Sequence, residues 1–150
     1  MKKTTRTLTN ILRQTSPSRV ENYLKENAEE LFSEEKPFAK YMRTLFHEKG
    51  LLQQEVFLRA DISEGYGYKL ISEEKRTRRR DMILRLCMGG RFTLEETQRA
   101  LKIYGMSPLY ARLSRDAVLI TAFGSGIYEI ADVNALLAEH GLEELYDQHR

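Results

Sequence analysis

The residues best equipped for chemistry are the five cations in Lys75-Arg76-Thr77-Arg78-Arg79-Arg80. A guanidinium group donates through a planar fork that matches phosphate oxygens. Thr77 is a good helix N-cap and Asp81 falls in the first turn, so the run sits where a helix begins. Such a helix end already turns unpaired backbone amides toward an anion, and arginines added there make a phosphate site. The competing reading is a solvated charge run, partly neutralised by Glu73-Glu74. The chemistry on offer is anion binding.

Bond-making chemistry has no comparable cluster. His47, His140 and His149 are far apart, and no His/Cys/Asp spacing suggests zinc. The single cysteine, Cys87, lies in an apolar stretch and reads as core. The acidic pairs Glu29-Glu30, Glu34-Glu35, Glu95-Glu96 and Glu143-Glu144 are adjacent, so their side chains diverge on a helix. No glycine loop is followed by the Lys-Ser/Thr that cradles nucleotide phosphates in a P-loop. These absences predict a non-enzyme with no cofactor and no metal centre.

The elements that must position the arginine run are helical. Residues 1–15 hold only Leu8, Ile11 and Leu12 as apolar anchors and form a short helix or a loose arm. Ser16-Pro17 starts a helix whose apolar positions, Val20, Tyr23, Leu24, Ala28, Leu31 and Phe32, recur at threes and fours. Lys36-Pro37 breaks the chain before a helix over 38–49 that carries Phe38, Tyr41, Met42, Leu45 and Phe46 on one stripe and stops at Gly50. Leu51 to Ser63 then reads as a helix, a tight turn at Asp61 and a second helix opened by Ser63.

Leu51, the Gln53-Gln54-Glu55 trio, Val56, Arg59-Ala60 and Ile62-Ser63 resemble the core of the lambda-repressor/Cro-like (Xre-type) helix-turn-helix family. The resemblance spans roughly residues 38–84 and implies a bacterial regulator that docks its second helix in the DNA major groove. It places Ser63, Glu64, Tyr66 and Lys69 toward the bases. Glu64 would accept from a cytosine amino group and Tyr66 would touch a thymine methyl. It sets Gln53, Lys75, Arg76, Arg78 and Arg79 against backbone phosphates.

The chain departs from the family at several positions. Gly65 and Gly67 lie inside the presumed recognition helix, each costing about 1 kcal/mol relative to Ala. Phe57 stands where the family puts a small residue, and Leu58 where it puts a polar one. These changes motivate a second reading, a protein-interaction adaptor on a helix-turn-helix scaffold that no longer reads DNA. Phe57, Leu58, Tyr66 and Tyr68 would then form an exposed patch.

Beyond Arg80 the chain repeats itself. Residues 94–110 align without gaps to 130–146, and Arg80-Asp81 matches Arg115-Asp116 with a slip of one. Each copy predicts an apolar helix opened by Arg-Asp, a glycine turn, an amphipathic helix stopped by glycine (Gly105, Gly141) and a closing Leu-Tyr pair. Thr93 to Glu96 has capping-box spacing. The expected fold is all-α: an Xre-like helix-turn-helix unit packed against two repeated helical hairpins. Its expected parts are 1–36 (arm and helix), 37–90 (helix-turn-helix unit) and 91–150 (hairpins).

Residues 1–90 carry 18 Lys/Arg against 13 Asp/Glu, whereas 91–150 carry 6 against 9, which assigns a polyanion to the first part. The expected partner is double-stranded DNA. A homodimer would supply specificity, and a protein partner belongs to the adaptor reading. No apolar run approaches the ~20 residues that span a bilayer, and no signal peptide is visible, so a cytoplasmic location without membrane contact is expected.

Overall fold

The structure, a computed structural model, describes residues 3–31 and 36–149. Among these residues every regular element is helical. The chain divides into two compact units, 1–34 and 35–150.

In the first unit, α1 (Thr5–Arg13) is capped by Thr4, whose hydroxyl accepts the Thr7 N–H at 3.1 Å. A 3-10 turn at Pro17–Arg19 leads into α2 (Val20–Glu26). That helix is shorter than its apolar spacing predicts. The Asn27 amide donates back to the Tyr23 carbonyl at 3.1 Å, the local competition that ends helices at asparagine. The expected Phe32 position lies outside the described residues.

The second unit contains α3 (Pro37–Glu48), α4 (Gln53–Ala60), α5 (Glu64–Ser72), α6 (Arg80–Gly89), α7 (Leu94–Tyr104), α8 (Ser114–Gly124) and α9 (Ile130–Glu139). One hydrophobic core runs from Phe38 to Leu145, so the segments 37–90 and 91–150 share it. Its axis is α6, in which every residue from Met82 to Gly89 is buried. Gly89 lets α6 cross α4 closely, since a Cβ there would lie 2.4 Å from the Val56 carbonyl oxygen.

The repeat is a structural one. Both amphipathic helices are followed by glycines with positive φ, Gly105 at 87° and Gly141 at 68°. The Thr93–Glu96 capping box opens α7. The two Arg-Asp pairs exchange partners: Arg115 grips Asp81 through two bonds of 2.9 and 2.8 Å, while Arg80 pairs with Asp116. Each aspartate also accepts the backbone N–H of the other repeat copy's tyrosine, Tyr146 to Asp81 at 2.8 Å and Tyr110 to Asp116 at 2.9 Å. Burial pushes the Asp81 carboxyl up, but the Arg115 hydrogen bond, the Tyr146 N–H and the charges of Arg115 and Arg80 together hold it below the usual range.

Candidate nucleic-acid interface

The bend between α4 and α5 is made by Asp61, in the left-handed region at φ 53° and ψ 49°. Ile62 N–H returns to the Phe57 carbonyl at 3.0 Å and fixes the angle at which α5 leaves. Helix α5 buries Gly67, Leu70 and Ile71, exposes Glu64, Gly65 and Tyr68, and leaves Tyr66 and Lys69 half-buried. Gly67 is explained by Phe57: a Cβ at position 67 would lie 2.5 Å from the phenyl ring. The large residue on α4 and the missing side chain on α5 compensate each other. Phe57 is therefore buried, packed edge-on against Tyr68 at 5.0 Å, and is not part of an exposed patch.

Thr77 does not cap the next helix. Helix α6 begins at Arg80 with Arg79 in the N-cap position, and the Thr77 hydroxyl accepts the Arg79 N–H at 3.0 Å. The Thr77 N–H is drawn to the Tyr104 hydroxyl at 2.8 Å, and the backbone is still extended at Arg79. The turn that Thr77 organises comes one step before the helix.

The cations of this run have different surroundings. Arg76 pairs with Glu73, donates to the Tyr104 carbonyl at 2.6 Å and stacks over the Tyr104 ring at 4.1 Å. It is built into the scaffold. Arg79 lies over the Tyr146 ring at 3.7 Å, which occupies its face and leaves its in-plane N–H groups to other acceptors. Lys75 and Arg78 are exposed and make no side-chain ion pair among the described residues. Tyr66, Arg76, Thr77, Arg78, Arg79, Met82, Tyr146 and Gln148 line one hollow of about 540 Å³, so α5 and the arginine run face the same space.

The remaining predicted residues have different surroundings. Gln53 is half-buried and its Oε1 is enclosed with no donor. Gln54 donates to Glu64 at 3.2 Å across the bend. Ser63 opens α5 without a side-chain cap bond, and its hydroxyl takes the Gln148 amide at 3.0 Å.

That last contact belongs to a feature that sequence reasoning missed. The segment after α9 returns across the bend, and buried Arg85 holds it there. Arg85 donates to the Tyr146 carbonyl at 2.7 Å and to the Ala60 carbonyl, the last residue of α4, at 3.1 Å. The available signal was Arg85 as the one charged residue in the otherwise apolar run 82–89. The same return brings Asp61, Asp147 and His149 together, with one ligand atom of each within 4.8 Å of the others, although Asp61 and His149 are solvent-exposed.

Compared with known protein families, curated proteins and solved structures, the chain matches none. Any functional reading of it therefore stands on its own geometry. Among the described residues no helix is long and apolar enough to cross a membrane.

Proposed function

We propose that this chain is a sequence-specific DNA-binding regulator of Xre-like helix-turn-helix type, which reads duplex DNA through α5. The observation that carries the reading is the shared hollow: Tyr66 of α5 and the cations Arg78 and Arg79 line it together. In this reading Glu64, Tyr66 and Lys69 approach the base edges and Lys75, Arg78 and Arg79 meet phosphates. Arg76 contributes by shaping the loop, because its own donors are engaged. Gln148, bonded to Ser63, holds the start of α5.

Selection of bound sites from a random duplex pool tests base readout. Glu64→Ala or Lys69→Ala is expected to change the selected sequence while leaving affinity for unselected duplex nearly intact. An unchanged selected sequence in both variants would remove α5 from the base-reading role.

A second reading, a protein-interaction adaptor, has Leu58 and Tyr68 behind it, exposed at 82% and 40%. Apolar groups held in water beside a bend suit a partner's apolar face. Partner capture that survives Tyr68→Ala and Leu58→Ser together would count against it.

A further inference from the structure

The hollow between α5 and the arginine run has the dimensions of a small-molecule site. At about 540 Å³ it falls within the roughly 300–1,000 Å³ typical of ligand pockets. Three arginines and no carboxylate line it, so its field favours an anion. Arg78 has no partner among the described residues, and Arg79 keeps its in-plane donors because only its face is stacked on Tyr146. Thr77 accepts from Arg79 N–H and retains its own hydroxyl hydrogen for donation. Tyr66 and Tyr146 add aromatic walls.

Gln148 offers the hollow no acceptor, because its amide nitrogen is bonded to Ser63 and its Oε1 is enclosed. A bare phosphate would satisfy the arginines and leave both rings unused. Paired duplex DNA can meet Arg78 at the rim with a phosphate and Tyr66 with a base edge, but it lays no ring face on the tyrosines. An anion joined to a flat ring uses both the arginines and the aromatic walls.

We infer that this hollow binds a nucleoside phosphate, with the phosphate on Arg78 and Arg79 and the base against the tyrosines. This goes beyond the DNA reading and does not require it. Where both hold, nucleotide and duplex compete for Arg78 and Arg79. The hollow is then an effector site that lowers affinity for duplex.

The test is calorimetric titration of the full chain, without DNA, against AMP, GMP, CMP and UMP, with adenosine and inorganic phosphate as comparisons. At least one nucleotide is expected to saturate at least about tenfold more tightly than adenosine or inorganic phosphate, the scale of one lost charge-assisted bond. Arg78→Ala, at an exposed side chain with no partner among the described residues, is expected to weaken it about tenfold without affecting folding. Lys102→Ala, an exposed position on α7, leaves it unchanged. The inference is overturned if no nucleotide saturates at millimolar concentration, if inorganic phosphate binds equally well, or if Arg78→Ala binds like the parent. Nucleotide binding without any duplex binding sinks the DNA reading alone, and the converse sinks this one alone.

Discussion

Gly65 and Gly67 stand two residues apart in α5, yet the same substitution at each should move stability in opposite directions. A Cβ at Gly65 meets nothing within 4 Å. Alanine there gains up to about 1 kcal/mol from helix propensity. A Cβ at Gly67 would lie 2.5, 2.7 and 2.7 Å from three ring atoms of Phe57. An ordinary contact is about 3.5–4.0 Å, so the ring would have to retreat by roughly 1 Å. It has little room, being 1% exposed and wedged against Tyr68. Overpacking of this kind costs about 1–3 kcal/mol. After the propensity gain, Gly67→Ala should be destabilising by about 1 kcal/mol, some 2 kcal/mol apart from Gly65→Ala. Urea unfolding of the two single variants measures this as opposite shifts in midpoint at unchanged slope. Phe57→Leu in the Gly67→Ala background should recover part of the loss, giving a non-additive cycle. Equal stabilisation by both alanines would refute the claim that Phe57 and Gly67 compensate each other.

Further outcomes follow from the second unit. Asp81 is held below the usual carboxylate range, so its contribution is complete above its unfolded value of about 3.9 and is lost as pH falls toward the folded one. The urea midpoint should therefore fall in acid below about pH 4, and Asp81→Asn should be less stable at neutral pH with a shallower acid dependence; an identical acid slope would contradict this. Arg85→Met leaves the Ala60 and Tyr146 carbonyls without their donor. It should cost about 3 kcal/mol, at roughly 1–3 kcal/mol for each stranded group, and should raise hydrogen exchange selectively in residues 145–149.

What the sequence made legible is local or repetitive. The capping box and the glycine stops depend on neighbours a few positions away, the repeat shows as self-similarity at an offset of 36 residues, and α6–α9 follow them. The exchange of partners between Arg80-Asp81 and Arg115-Asp116 goes further, because the repeat supplies the pairs but only the packing says which arginine meets which aspartate. The arginine run was visible as charge, whereas its division of labour was not. Arg76 is consumed by Tyr104 and Glu73, and Tyr104 lies on a different helix. Thr77 looked like an N-cap because threonine caps helices, but the Tyr104 hydroxyl competes for its backbone. The return of Gln148 to Ser63 has no local signal at all, since it is set by where α9 ends in space. Helix propensity alone makes the glycines of α5 a weakness, because it takes no account of Phe57. Their meaning is a matter of packing at 67 and of open space at 65.

The most direct test of the central claim is fluorescence anisotropy of a random duplex pool across a salt series, at ~50 to ~200 mM, with the parent chain and with Arg78→Ala, Arg79→Ala and Lys75→Ala. Binding should weaken steeply as salt rises, with a slope that flattens by about one for each cation removed, equally on all sequences. Absence of binding at the lowest salt, or a slope that none of the three substitutions changes, would contradict it.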